Sequence, residues 1–412
     1  MKTTALKGTR DFLPQEVRLR DYMQSRILEV YQRSGFERIS TPILEDIENL
    51  DKSEGGENLN LIFRVLKRGE KLRNAVEQGK TEELCDIGLR YDLTLPLSRY
   101  FANNKDKLLS PVKCIQIDRV YRAERPQKGR DREFVQCDID ILGSSSIHCE
   151  IELIYTTAKA LKAVGIDDFT IKLNDRRLLR AVLIAAGVKE DQTDSVCISI
   201  DKLDKIGVKG LEAELEAKGL KQEIIDRISE LLSGTMDLSE LEEITGERQI
   251  IGGLRKILCT IGDLSSNTVD IRFDLTLVRG QGYYTGTIFE IESKRFKGSI
   301  GGGGRYDSLI GKFSGEPVPA VGFSIGFERI FAILSEGGFE LPGGNHKMAL
   351  IYKEEDFLEA NLAAEEYRQE YDVCLYEMPR KLGRFIDRLA RSGYGYMLIY
   401  GEGQELRRIE QQ

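Results

Sequence analysis

Histidine is nearly missing from this 412-residue chain, which carries only His148 and His346, each in a polar neighbourhood typical of a solvated side chain. A Ser-His-Asp or Cys-His mechanism therefore has almost nothing to work with. The seven cysteines (85, 114, 137, 149, 197, 259 and 374) lie far apart, with no CxxC pair and no metal-ligand spacing to histidine. That argues against structural zinc and against a disulfide framework, and it fits a reduced, cytoplasmic thiol set. No GxxxxGK[ST] string occurs, which excludes a P-loop nucleotide site. No stretch approaches the roughly 18 apolar residues of a membrane span, and the opening MKTTALKGTRDFLP lacks the apolar core of a signal peptide, so secretion and membrane insertion are not expected. Positive charge is not in excess either: Lys plus Arg is 60 against Asp plus Glu 68, a formal charge of -8. Any nucleic-acid contact must come from a local basic patch.

What the chain does have is size, with 41% hydrophobic residues, enough to bury a substantial core across two or three domains. Residues 15 to 34 set Leu19, Met23, Ile27, Val30 and Tyr31 on one helical face, and Gly35 follows where a helix commonly ends in a left-handed residue. FERISTPILE (36 to 45) reads as a strand interrupted by Pro42, a plausible interface element. The charged stretch from Leu66 to Glu83 is expected to be a surface hairpin or loop. DIGLRYDLTLPLSRYF then returns to strand and helix, with Pro96 near the helix start. Strands are predicted at 112 to 122 and 134 to 142, joined by a charged loop, and a helix at 146 to 164. From about Asp167 to Leu264 the pattern is mostly helical, in runs ending on glycine, which suggests an inserted helical subdomain. Strand character resumes at 269 to 295, continues across Gly301 to Gly304, and leads to a strand-to-helix unit at 318 to 335. GGFELPGGN (337 to 345) is the best linker, and the alternation after it predicts a small α/β domain over 347 to 412.

Three segments can carry chemistry. In RVYRAERPQKGRDREFVQCDIDILG (119 to 143), Val135, Cys137, Ile139 and Ile141 share one face of the second strand, while Phe134, Gln136, Asp138 and Asp140 share the other. On the first strand Gln116, Asp118 and Arg122 have a common parity, so the hairpin is able to present amide, carboxylate and guanidinium groups to one pocket. Such a polar face needs water or a ligand, although a solvated sheet face is the commoner reason for it. The connecting loop holds six basic residues (Arg119, Arg122, Arg125, Lys128, Arg130, Arg132) against Glu124 and Asp131, a local anion site in an acidic chain. In LVRGQGYYTGTIFEI (277 to 291), Gly280, Gly282 and Gly286 narrowly miss the dinucleotide fingerprint, and the strand character that follows rejects a Rossmann reading. Tyr283 and Tyr284 point to opposite faces if extended, one toward the core and one toward a pocket. In IGGGGRYDSLIG (300 to 311), four consecutive glycines cost a plain strand about 0.5 to 1 kcal/mol each, which suggests tight turning or close ligand approach. In VPAVGFSIGFERI a strand runs into a helix whose first turn contains Arg329, where backbone N-H groups and a guanidinium suit a phosphate.

Taken together, KGTRDFLP, GFERISTPILE, RAERPQKGRDREF, RGQGYYTG, GGGRYD and GFSIGFERI resemble, in order over residues 5 to 335, the motifs of class II aminoacyl-tRNA synthetases, specifically the histidyl-tRNA synthetase family. The resemblance implies an α/β (α+β) fold, an antiparallel sheet flanked by helices. A catalytic domain would occupy 1–166 and 265–336, a helical insertion 167–264, a linker 337–346, and a shortened anticodon-binding-like domain 347–412. It implies ATP as substrate with Mg²⁺, histidine and tRNA(His) as partners, and a homodimer through the motif 1 region. By position, Arg122 would grip the α-phosphate, with Glu124 and Arg130 nearby, Phe134 would stack on adenine, and Arg329 would hold the γ-phosphate. Arg279 would stabilise charge at the α-phosphate, making Arg279, Arg122 and Arg329 the catalytic set. Asp92, Gln136, Asp140, Tyr284 and Tyr306 match the amino-acid pocket.

Two departures stand out. Gln281 and Gly282 replace a common Leu-Asp, and the last domain resembles its counterparts through three strands and then stops, so that tRNA recognition would rest mainly on the acceptor end. The main alternative is a non-catalytic paralogue, the regulatory subunit of ATP phosphoribosyltransferase, which would be free to lose the ATP-binding arginines. A more distant one is an enzyme that aminoacylates something other than tRNA.

Overall fold

The computed structural model describes residues 1–53, 60–126, 130–232, 236–278, 284–342, 346–402 and 405–409. In chain order the elements are α1 (Pro14–Arg33), β1 (Glu37–Arg38), β2 (Leu44–Asp46), α2 (Ile47–Ser53), β3 (Arg64–Leu66), α3 (Gly69–Glu77), β4 (Cys85–Leu89), α4 (Thr94–Asn104), β5 (Val112–Tyr121), β6 (Glu133–Leu142), α5 (His148–Ala163) and β7 (Phe169–Asp175). Next come α6 (Arg176–Ala185), α7 (Thr193–Ile200), α8 (Leu203–Ala217), α9 (Gln222–Leu231), α10 (Leu238–Thr245), α11 (Arg248–Leu264), β8 (Asp270–Phe273), β9 (Thr287–Ser293), β10 (Phe296–Arg305), α12 (Gly311–Ser314), β11 (Ala320–Gly326) and α13 (Phe327–Glu336). The last are β12 (Lys347–Tyr352), α14 (Phe357–Tyr367), β13 (Asp372–Glu377), α15 (Leu382–Arg391), β14 (Tyr396–Ile399) and β15 (Arg407–Arg408). The contacts divide the chain into two units, Met1–Arg10 with Met23–Ile333 and Asp11–Tyr22 with Leu334–Gln412.

The first unit is built on an eight-stranded sheet of order β1-β5-β6-β11-β10-β9-β7-β8, among the described residues. Its middle ladders, β5/β6/β11/β10/β9/β7, are antiparallel, and the edge strands β1 and β8 pair in parallel. Direct cross-strand partners lie on one face, so the register writes out rows of side chains. One row reads Gln116, Asp138, Ser324, Gly302, Glu290, Lys172, and the row two residues along reads Cys114, Asp140, Gly322, Gly304, Ile288, Asn174. The opposite face, with Ile115, Ile117, Cys137, Ile139, Ile141, Phe323, Phe289 and Ile171, is buried. Gly303 shows why the glycine run is a strand and not a turn. Phe289 and Phe323 meet at 4.6 Å between ring centroids on either side of it, and a Cβ there would stand 2.0 Å from the Gly322 carbonyl oxygen.

Three expectations are corrected. The strand over 36 to 45 is broken into β1 and β2, because the Thr41 and Pro42 carbonyls accept from the buried Arg90 guanidinium in place of a ladder. The 66 to 83 stretch contains a helix, α3, which buries Ala75 beneath its charged surface. The mostly helical segment from 167 opens with β7, a full strand of the central sheet, and helices begin only at Arg176. At the end of α1, Gly35 takes the anticipated left-handed conformation, φ 83°.

In the second unit β12, β13 and β14 run parallel, and a fourth short strand, β15, pairs antiparallel to β14, one more than the three strands anticipated. Ala349 and Ile351 pack with Leu389 of α15, while Met348 and Leu350 pack with Ala360 and Ala364 of α14, so a helix covers each face. No helix among the described residues is long and apolar enough to cross a membrane.

Candidate active site

The polar face of the central sheet opens into a cavity of about 590 Å³. Asp92, Arg122, Glu124, Arg130, Phe134, Gln136, Asp140, Tyr284, Tyr306 and Arg329 all line it, although they come from segments spread over more than two hundred residues of chain. Arg279 lies outside the described residues, as do Tyr283, Gln281, Gly282 and Lys128. Gln116 and Asp118 are not delivered to this cavity. Gln116 is buried and donates to the Leu93 carbonyl, and Asp118 pairs with Arg90 at 2.8 Å. The basic loop also divides its charges: Arg119 faces Glu133, and Arg132 donates to the backbone carbonyls of Glu124 and Lys7.

Within the cavity Arg122 donates from Nε to the Tyr91 carbonyl at 2.9 Å, and its guanidinium lies 5.1 Å from the centroid of Phe134. The fork is thus held by one arm beside a flat aromatic surface, a suitable neighbourhood for a nucleotide phosphate and base. Arg130 stands 3.5 Å from Glu124. Arg329, in the first turn of α13, donates to the Ser299 carbonyl.

A cluster of carboxyls lines the same cavity, with Asp92 next in the chain to the Tyr91 carbonyl that Arg122 holds. Asp92, Asp138 and Asp140 are each 4% exposed. Asp92 accepts from the Leu95 backbone N-H at 3.1 Å, and the Tyr306 hydroxyl donates to Asp140 at 2.5 Å. Burial pushes the Asp92 carboxyl up, against the pull of the Leu95 N-H and Arg122. Burial, then the charge of Asp140, drives Asp138 well above the usual carboxylate range. Asp140 is pushed up to about 7 by burial, with the Tyr306 hydroxyl working in the opposite direction. Three carboxyls in one buried place are short of positive charge, so the arrangement favours a cationic guest. Gly322 makes room for one of them, since a Cβ there would fall 1.9 Å from Asp140 Oδ1.

Asp138, Ser324, Glu290 and Thr94 also line the cavity and were not nominated from sequence. Asp138 already stood on the polar side of its strand, and the row pairing Asp138, Ser324 and Glu290 is visible only once the ladder register is known. A second missed feature supports Tyr306 from behind. Arg305 meets Glu150 of α5 through Nε to Oε1 at 2.7 Å and Nη2 to Oε2 at 2.8 Å, both side chains being buried.

Comparison with known proteins decides the family. The family model described as Histidyl-tRNA synthetase matches residues 8–330. The chain belongs to the histidyl-tRNA synthetase family. It is 45% identical to a histidine–tRNA ligase of Leifsonia xyli subsp. xyli over 85% of this chain and 83% of that protein. It is 34% identical to one of Christiangramia forsetii over 97% of this chain and 92% of that protein. The crystal structure of histidyl-tRNA synthetase from a Nostoc species superposes with a TM-score of 0.82 at 27% identity, covering 99% of this chain and 95% of that one. The expected α/β fold, an antiparallel-rich sheet flanked by helices, is that of this class II synthetase family. The regulatory paralogue is not favoured, because relatives named as ligases match over most of their own length.

Proposed function

We propose that this synthetase-family chain forms histidyl-adenylate from histidine and ATP in the sheet cavity and passes the histidyl group to tRNA(His). The observation that carries the reading is the make-up of the cavity lining, which combines Arg122, Arg130, Arg329 and Phe134 with three buried carboxyls and Tyr306. The guanidinium groups and Phe134 suit a triphosphate and adenine, and the carboxyls with Tyr306 suit an ammonium and an imidazole.

In this reading Phe134 stacks on adenine, Arg122 holds the α-phosphate with Glu124 and Arg130 beside it, and Arg329 holds the γ-phosphate. Asp92 and Gln136 take the ammonium of histidine, while Asp140, Tyr306 and Tyr284 take the imidazole. The histidine carboxylate attacks the α-phosphorus, the bond to the bridging oxygen breaks, and pyrophosphate leaves. A terminal ribose hydroxyl of tRNA then attacks the carbonyl carbon, and AMP leaves. No protein side chain needs to carry a proton in the first step, so positioning and charge neutralisation supply the acceleration. Arg279 is assigned to the α-phosphate by motif position alone.

Among the described residues no group of three His, Cys, Asp or Glu is arranged to hold a metal ion. Glu124 and Glu290, two of the cavity's carboxylates, would hold Mg²⁺ together with triphosphate oxygens and water. When bound, the ion neutralises phosphate charge. A homodimer through the motif 1 region is part of the same reading, supported by Ile43 and Leu44, which are 40% and 52% exposed. Sedimentation at micromolar concentration checks it.

Histidine-dependent ATP–pyrophosphate exchange followed by charging of tRNA(His) tests the function. Both should occur. Absence of exchange would leave a regulator, and exchange without charging would require a different acceptor.

A further inference from the structure

Asp138 is costly, and no single substrate group has been assigned to it. It lies on the cavity floor at 4% exposure, two residues along β6 from both Gln136 and Asp140. A buried carboxyl beside another carboxyl weakens a fold unless its bonding accomplishes something. Its partners are specific. Gln136 Nε2 donates toward Asp138 Oδ2 at 3.3 Å and Oδ1 at 3.5 Å, and toward Ser324 Oγ at 3.4 Å. The other end of the same amide, Gln136 Oε1, is buried and has no hydrogen-bond partner among the described residues.

The two ends of an amide have nearly the same shape and opposite chemistry. With Nε2 turned to Asp138, the Gln136 oxygen remains as an acceptor for an ammonium. With the amide reversed, N-H groups would confront N-H groups and the ammonium would be repelled. We propose that Asp138 is a positioning residue which fixes the orientation of the Gln136 amide, so that Oε1 is presented to the ammonium of the amino-acid substrate. Asp138 keeps an accepting oxygen for Nε2 whether or not it carries a proton. The inference rests on the assignment of Gln136 to the substrate ammonium.

The experiment is ATP–pyrophosphate exchange by the full chain with histidine varied, comparing wild type with D138A, D138N and Q136A. Inhibition by imidazolepropionate, which is histidine without its ammonium, is measured alongside. D138A removes the acceptor and should raise KM for histidine about tenfold or more, with kcat and KM for ATP within about threefold of wild type. D138N is neutral yet still offers a carbonyl oxygen to the amide, with Ser324 as an acceptor for its own N-H groups, and should stay within about threefold of wild type. The inhibition constant of imidazolepropionate should be the same in all four proteins.

If D138N is as impaired as D138A, the charge matters and not the acceptor, and the proposal is wrong. An unchanged KM in D138A overturns it equally. Should D138A not fold, D138L fills the space without an acceptor and serves the same comparison. An unchanged KM in Q136A would instead sink the assignment of Gln136, and with it the role given to Asp138.

Discussion

At the scale of single residues the account turns on carboxyls that are kept buried for a cationic substrate. Asp140 is pushed from 3.8 to about 7 in the folded protein, surrounded by Asp138 on its own strand, Cys114 on β5, and Asp92 and Tyr306 from neighbouring segments. The folded chain therefore holds this proton more tightly than the unfolded chain. The stability it contributes is complete below pH 4 and is lost as pH rises toward 7, on the order of a few kcal/mol. Urea unfolding without ligand should show wild type losing stability between pH 4 and pH 7 relative to Asp140→Asn. Parallel pH profiles for the two proteins would contradict this. Tyr306→Phe removes the hydroxyl that donates to Asp140 and should raise KM for histidine by about ten- to a hundredfold, a loss of roughly 1 to 3 kcal/mol. Steady-state exchange kinetics check it, and KM for ATP should hardly move. Much of this chemistry is legible in the sequence, because period two in FVQCDID separates Gln136, Asp138 and Asp140 from the apolar face without any structural knowledge. Gln116 and Asp118 obey the same parity and still miss the cavity. Parity assigns a face, whereas their bonds to the Leu93 carbonyl and Arg90 depend on where the 90–93 segment crosses.

At the scale of elements, β10 and α5 are joined by the Arg305–Glu150 pair, which holds the C-terminal end of β10 one residue before Tyr306. Glu150→Ala would strand a buried guanidinium and should cost about 3 to 5 kcal/mol, toward the lower end because Asp307 stays at 3.2 Å. The midpoint of urea unfolding measures this, and a loss below about 1 kcal/mol would mean the pair is not what ties α5 to the sheet. No local pattern announces such a pair, since its partners are 155 residues apart. The same limit explains the elements that differ from expectation. The glycines at 301 to 304 carry strand character in the sequence together with a sign of tight turning or close ligand approach, and the rings of Phe289 and Phe323 closing across Gly303 add the packing reason for a strand. The alternation of Phe169, Ile171 and Leu173 was available in the sequence, but the longer helical runs behind it dominated the segment. The α3 helix was hidden by its charge, having a single buried residue to mark its inner side.

At the scale of the whole molecule, a net charge of -8 gives no general attraction to tRNA, so binding must come from local clusters. In the second unit Arg384, Arg388 and Arg391 are exposed on α15, and Arg407 and Arg408 are exposed on β15. Reversing two of these charges, in R384E/R388E, should raise KM for tRNA at least about tenfold. It should also reduce the salt dependence of charging by about one unit of slope per lost phosphate contact. Pyrophosphate exchange, which uses only the cavity of the first unit, should be unchanged. Equal loss of both activities would contradict this division of labour. The Gly- and Pro-rich stretch after Glu336 stands close to Leu334, where the longer segment of the second unit begins, and nothing in the sequence sets Asp11–Tyr22 apart from the residues that follow it.

The most direct measurement is a single-turnover rapid-quench assay of adenylate formation from labelled ATP, without tRNA, in wild type and Arg122→Ala. The account predicts close to one histidyl-adenylate per active site in the wild type, dependent on histidine and on no other amino acid. It predicts a rate lower by orders of magnitude in the variant, because the guanidinium acts where charge builds at the α-phosphate. Adenylate that forms without histidine, or at an undiminished rate in Arg122→Ala, would contradict it.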